Sequence, residues 1–288
     1  MLYLIIAVLS NTFMTFIIRL SEKEKSNRFN VNTFNYLFGG ILAYFVIRKE
    51  SVFSFDGEDY RYTLLLAVIN AVLYIACLYL MQINMKKNGA PLTTTYNRLG
   101  LLIPILISVI LFKEYPNQMQ IIGCILAIFS IYYINKKDKK DGSSVSPILL
   151  IALFIAGGMV DTLAKIYGHF GNPNLQGHFI FYTFIFSFIF SLILSIKSIK
   201  NLSLKEILIG FFIGIPNQIT TLAQLKAVAV LPAYLVFPAY SISVILLVNF
   251  VNFLFFKEKL TIRQYIGTGI IISALICMNV RNIPCFYL

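Results

Sequence analysis

One arginine, Arg98, stands well inside an apolar stretch, in Thr93-Thr94-Thr95-Tyr96-Asn97-Arg98. An ionisable group in such a place is expensive and by default functional, and a guanidinium offers a planar fork of donors suited to a carboxylate or phosphate. Asp161 is the acidic side chain set deepest in an apolar run, with Lys165 one turn on in the acid-first i,i+4 order that allows a pair. Neutral polar groups are scattered through other apolar runs as Asn11, Asn35, Asn70, Tyr74, Gln82, Asn217, Gln218 and Gln224, some of them expected as hydrogen-bonding glue between helices. The expected solute contacts are Arg98, Tyr96, Asn97, Tyr240, Asn11, Tyr74 and Asn217, with Asp161 the candidate for proton coupling.

The elements that must hold these residues are membrane helices. Of 288 residues, 58% are hydrophobic and 12% charged, more apolar surface than a soluble domain can bury. Ten stretches are long enough to cross about 30 Å of hydrocarbon: Leu2–Leu20, Val31–Ile47, Thr63–Met81, Pro91–Phe112, Gln118–Asn135, Pro147–Ile166, Gly177–Ile196, Ile207–Ala227, Pro232–Phe256 and Ile262–Val280. Backbone groups in lipid must be satisfied within the segment, so these are helices and the expected class is all-α integral membrane. Arg98 then falls within about one turn of the midplane of the fourth segment, at 1.5 Å per residue. Pro216 and Pro238 predict breaks or kinks in the eighth and ninth segments, and Gly210 and Gly214 predict close packing in the eighth.

The chain is also its own half-length repeat. Phe112-Lys113-Glu114 with Gln120 and Gly123 recurs 144 positions later as Phe256-Lys257-Glu258 with Gln264 and Gly267; Ile122 and Ile266 make six identities in twelve. Tyr96 and Tyr240 keep the same offset, whereas Arg98 aligns with Ile242. Repeats are sought first because they set the architecture. Five crossings per half is odd, so the second half enters from the opposite face, an inverted repeat of the kind transporters use around a midplane site. The expected halves are residues 1–137 and 146–288, joined by the charged linker Lys136–Ser146, with Glu114 and Glu258 fixing structural corners at opposite surfaces.

The net charge of +12 is spread over short loops, which argues for membrane orientation and against nucleic acid. Loops after the odd segments carry 16 of the 24 basic residues and the opposite side 7, which puts the odd loops in the cytoplasm and both termini outside. The first segment lacks a basic leader and a small-residue cleavage site, so it is expected to remain in the mature protein. Cys77, Cys124 and Cys277 lack metal-ligand spacing and read as packing residues, Cys285-Phe286-Tyr287-Leu288 is a poor prenylation box, and His169 and His178 read as solvated loop residues. No metal site or cofactor is expected. A membrane-embedded transferase would need an Asp-rich metal motif or a paired catalytic His, and an ATP-driven pump a phosphate-cradling Gly-rich loop.

On these residues the chain resembles the drug/metabolite transporter superfamily in its EamA-like, ten-helix form. The resemblance spans nearly the whole sequence and rests on Ile103-Pro104 and Leu231-Pro232-Ala233, each followed by the Phe-Lys-Glu corner, Gln and Gly, with lysine where the family usually has glycine. It implies a cavity between two five-helix bundles, alternating access and small organic cargo such as amino acids, metabolites or drugs. It also implies cytoplasmic termini, opposite to the charge count.

The expectation is therefore a multi-pass plasma (inner) membrane protein, monomer or homodimer in contact with lipid, that exports small organic metabolites. Arg98 favours cargo with an anionic group. A multidrug or lipophilic-cation exporter and a non-transporting receptor or scaffold are the alternatives. The charge count makes a prediction: a thiol-reactive, membrane-impermeant probe should miss Ser144→Cys in intact cells and label it after permeabilisation. Equal labelling in both conditions would remove the termini-outside orientation.

Overall fold

The computed structural model describes residues 2–24, 26–47, 57–111, 117–135, 146–230, 233–257 and 261–279. The corners at Glu114 and Glu258, the central linker and Cys285 lie outside them. Within them the chain forms helices α1 (Leu2–Lys23), α2 (Arg28–Ile47), α3 (Glu58–Asn88), α4 (Ala90–Leu99), α5 (Leu102–Leu111), α6 (Gln118–Asn135), α7 (Pro147–Phe170), α8 (Gln176–Ser195), α9 (Leu204–Val230), α10 (Ala233–Phe256) and α11 (Ile262–Asn279). Short 3₁₀ turns at Pro173–Leu175 and Ile199–Asn201 flank α8.

Five of the described helical stretches are long and apolar enough to cross a bilayer: Leu2–Lys23, Glu58–Asn88, Pro147–Phe170, Pro173–Ser195 and Leu204–Gln224. Only 39% of the most apolar window of α3, and the same share of α7, is buried, so most of each faces the apolar surroundings. On α7, Ile148, Ile151, Ile155 and Met159 form an exposed apolar stripe at helical spacing. The protein is an integral, multi-pass membrane protein whose outer surface is matched to lipid.

Most interhelical packing joins the first half of the chain to the second. The main partners are α2 with α8 and α9, α3 with α7 and α8, α1 with α9 and α10, α4 with α7 and α10, and α6 with α11. Exchanging α1 with α7, α2 with α8, α3 with α9, the α4–α5 pair with α10, and α6 with α11 returns this same set. Gly210 and Gly214 bring α9 against α2: a Cβ on Gly214 would stand 2.3 Å from the Asn35 carbonyl oxygen. Buried amides then bond across helices, as in the reciprocal Asn32–Gln82 pair (3.1 and 2.7 Å) and Asn70 Nδ2 donating to Thr183 Oγ1 (3.3 Å).

Where the helices are interrupted differs from the expected places of breaks. Helices α9 and α10 run on through Pro216 and Pro238, and the interruption falls instead at Gly100-Leu101, between α4 and α5. The cause is Pro104. It has no N–H to give the Gly100 carbonyl four residues back, and its ring crowds that oxygen. The chain tightens into i,i+3 bonds, from Gly100 N to Asn97 O (3.2 Å), Leu101 N to Arg98 O (3.4 Å) and Ile103 N to Gly100 O (2.9 Å). The break also fits against α7 backbone to backbone, since a Cβ on Gly158 would meet the Gly100 oxygen at 2.5 Å and one on Gly100 the Gly158 nitrogen at 2.8 Å.

At the second corner Lys257 adopts φ 52°, in the left-handed region. The Lys-for-Gly departure is therefore a steric cost there, about 1–2 kcal/mol for a residue with a Cβ. In detergent, Lys257→Gly should raise the melting temperature. Gly158→Ala should lower it by an amount corresponding to about 1–3 kcal/mol of overpacking. Gly269→Ala, whose Cβ would meet nothing within 4 Å, is the control expected not to destabilise. Unchanged stability of Gly158→Ala would disprove the tight crossing.

Candidate functional site

The break changes what Arg98 is. Instead of the middle of one long helix it occupies the last turn of a half-helix, where the negative end of the helix dipole favours a cation. Its Nη2 donates to Asn11 Oδ1 of α1 at 2.8 Å, and its guanidinium carbon lies 4.7 Å from the centre of the Tyr240 ring of α10. The buried Nε–H has no hydrogen-bond acceptor among the described residues.

The neighbouring residue, Asn97, turns to α3 and α7. Its Oδ1 receives the Cys77 thiol at 3.7 Å, and a Cβ on Gly157 would lie 2.5 Å from that same oxygen. Asp161 stands one turn beyond Gly157 on the same face of α7. That face runs through Leu150, Phe154, Gly157, Asp161, Lys165 and Gly168, opposite to the lipid stripe. It is packed up to Gly157, but Asp161, Lys165 and Gly168 are exposed. The face therefore leaves the packed crossing and enters accessible space on the side of Phe170. Asp161 makes no direct ion pair with Arg98 among the described residues, yet it lies within Coulombic range of Arg98, Tyr74, Cys77 and Tyr240.

Tyr74 on α3 faces Thr221 on α9 and packs its ring 6.1 Å from Phe184. Thr221 Oγ1 donates to the carbonyl of Asn217 (3.1 Å), whose own amide donates to Asn35 Oδ1 of α2 (3.3 Å). Thus Arg98, Asn97, Asn11, Tyr74, Tyr240 and Asp161 gather at one level between the two halves, and Asn217 borders them through Thr221.

Tyr96 goes elsewhere. It is fully buried in a second core with Leu92, Leu99, Ile245 and Leu275, two residues and most of a half-turn from Arg98. Cys77 and Thr221 were missed as neighbours of the site, although each lies one turn from a residue that was picked, Tyr74 and Asn217. The reading of His178 as a solvated loop residue is corrected: it is 1% exposed in the first turn of α8, between the rings of Tyr60 and Tyr182. His169 is exposed, as expected. Among the described residues no three His, Cys, Asp or Glu side chains group to hold a metal.

The comparisons agree with this architecture. The model of the EamA-like transporter family matches residues 1–136 and again residues 145–280. An uncharacterized protein of Haemophilus influenzae is 24% identical over 286 residues, 96% of each chain. The quaternary ammonium compound-resistance protein QacH of Staphylococcus saprophyticus is 32% identical over 93 residues, 31% of this chain and 82% of its own. A solved crystal structure shares the fold with a TM-score of 0.62 over 96% of both chains at 12% identity. The chain belongs to the EamA-like transporter family, within the drug/metabolite transporter superfamily, and is a membrane carrier of small molecules rather than an enzyme.

Proposed function

We propose that the protein is a secondary exporter of small organic metabolites that works by alternating access, and that its cargo carries an anionic group received by Arg98. The reading takes the chain as ten crossings in two inverted five-helix repeats, residues 1–137 and 146–288. The exchange symmetry of the helix pairings supports that arrangement, as does a broken helix at the interface of the halves, where transporters place their binding groups. The observation that carries the cargo assignment is the Arg98 guanidinium at the break, held by neutral Asn11 and Tyr240, with its buried Nε–H given no acceptor among the described residues. A cation at that depth costs about 2.5–3.5 kcal/mol on insertion scales, and a bound carboxylate or phosphate would offset it with two parallel hydrogen bonds. Asn97 and Tyr74 supply neutral contacts, and Asp161 is the group whose protonation couples transport to a proton gradient.

A second reading has its own support. The QacH relative bears the name of a resistance protein for quaternary ammonium compounds, and the exposed Asp161 stands in range of the Tyr74 and Tyr240 side chains. Aromatic rings around a carboxylate suit a lipophilic cation.

The two readings separate on variants. For anionic cargo, Arg98→Ala should remove ligand-induced thermal stabilisation and nearly abolish proteoliposome flux. Arg98→Lys should bind more weakly because an ammonium does not reproduce the bidentate fork. Wild-type flux of an anionic solute by Arg98→Ala would defeat the anion reading. Asp161→Asn should keep cargo exchange across the membrane but lose accumulation driven by a pH gradient. Loss of tetraphenylphosphonium binding in Asp161→Asn, with Arg98→Ala unaffected, would instead establish the cation reading.

A further inference from the structure

A second arginine, half-buried, stands on the same helix face that serves Arg98. Asn11, Thr15 and Arg19 follow one another at i,i+4 spacing on α1, so a polar stripe leads from the Arg98 contact toward the opposite end of the molecule, about 12 Å away at 1.5 Å per residue. Thr12 and Thr15 return their hydroxyls to the Val8 and Asn11 carbonyls, both at 2.8 Å. Arg19 belongs to this helix and not to the loop beyond it. Its Nη1 donates to the Met85 carbonyl near the end of α3, and its guanidinium carbon lies 5.8 Å from the centre of the Phe256 ring at the end of α10.

These contacts close one end of the space between the halves. Thr12, Thr15, Arg19, Asn252 and Phe256 surround a cavity of about 10 Å³, room for about one water. Just outside, one buried carboxylate, Glu206, ties the second half to the first, and a second, Glu22, fixes the α1–α2 corner within the first half. Glu22 holds Arg28 in a bidentate pair, while Glu206 of the second half accepts from Asn27 N (3.1 Å) and Asn30 Nδ2 (2.7 Å). The other end differs, because there the Asp161–Gly168 face of α7 is exposed and the α7–α8 connection meets α3 through the exposed Asn172–Asp59 bond of 2.8 Å. That end is bridged as well, by the buried Thr63 and Tyr167 hydroxyls at 3.0 Å between α3 and α7, but among the described residues no arginine stands in its crossing as Arg19 does.

We propose that Arg19 is both the closing contact at this end and a second anion-binding subsite. When the halves part, the guanidinium exchanges the Met85 carbonyl and the Phe256 ring for the anionic group of a solute arriving from Arg98 along the α1 stripe. The assignment of the solute rests on the anionic reading of Arg98; the closing role does not. An arginine that must trade one partner for another makes opening favourable when an anion is there to take it, and costly when none is. Arg98 would hold the anion at the centre and Arg19 would pass it out.

Charged thiol reagents test this without knowledge of the solute. Thr15→Cys, in proteoliposomes and read at residue 15 by mass spectrometry so that the native cysteines stay in place, is treated with anionic 2-sulfonatoethyl or cationic 2-trimethylammonioethyl methanethiosulfonate. With Arg19 present, the anionic reagent should react about tenfold faster than the cationic one, as a local positive potential demands. Arg19→Gln should bring the ratio near one while raising both rates, and Arg19→Lys should keep the preference. Rates indifferent to Arg19→Gln, or no reaction in either background, would overturn the proposal. An equal rise for both reagents at an unchanged ratio would leave a gate and overturn the subsite. Melting temperatures identify any variant that reports on misfolding. If the anion preference at residue 15 holds while Arg98→Ala keeps wild-type flux, the anionic-cargo reading fails and the Arg19 subsite stands.

Discussion

The rest of the structure depends on a hydrogen bond that cannot form. Pro104 has no N–H for the Gly100 carbonyl, so the helix beginning at Ala90 must stop and restart. In lipid a freed backbone group is costly, and irregular backbone survives only where protein covers it or a wet cavity receives it. Here i,i+3 bonds and the Cβ-free surface of Gly157-Gly158 on α7 provide the cover. The same event delivers Arg98 to a helix end between the halves and brings it within Coulombic range of Asp161. One missing donor thus sets the helix end, the closest crossing and the position of the charge.

Around that point two kinds of contact have different tasks. Small residues let α2 approach α9, and the α4–α5 break approach α7, at backbone distance, while buried amides and hydroxyls fix the register of those crossings. Helices in lipid gain little from burying apolar surface against each other, so close packing and hydrogen bonds have to hold them. The charged contacts lie elsewhere, at one end, in the Glu22–Arg28 pair within the first half and the Glu206 strap between the halves. Tight crossings in the middle with exchangeable polar contacts at the ends suit two bodies that rock about a central site.

The two ends are not alike in this conformation, although the helix pairings are nearly interchangeable. At the Arg19 end the carboxylates are buried and accept several bonds; at the other the described contacts are neutral hydroxyls, Thr63 and Tyr167, and the exposed Asn172–Asp59 bond. Symmetry of backbone pairing with asymmetry of side-chain closure is what an alternating-access carrier requires, since each end must close in turn with its own chemistry.

Much of this was legible in the sequence because lipid leaves few choices. Long apolar runs have to be helices, a 144-residue offset exposes the repeat, and a lone arginine in an apolar run marks the place where charge must be handled. Boundaries such as Gln118–Asn135 coincide with α6, and Gly210 and Gly214 do form a close crossing. What the sequence could not decide was which proline breaks its helix. Pro104, Pro216 and Pro238 are locally equivalent, and only the Gly157-Gly158 surface that receives the Gly100 turn selects the first. Nor could it decide which side of a helix each polar residue takes. Tyr96 and Arg98 are two positions apart, yet one lies in an apolar core and the other in the site, because Tyr96 packs with Ile245 and Leu275 while Arg98 reaches Asn11 of α1 and the Tyr240 ring. Arg19, at the end of the first apolar run, was counted only among the basic residues of the odd loops, and is a half-buried interhelical contact because the tertiary structure brings Met85 and Phe256 to it. Local sequence determined the helices and the repeat; long-range packing decided which polar groups meet.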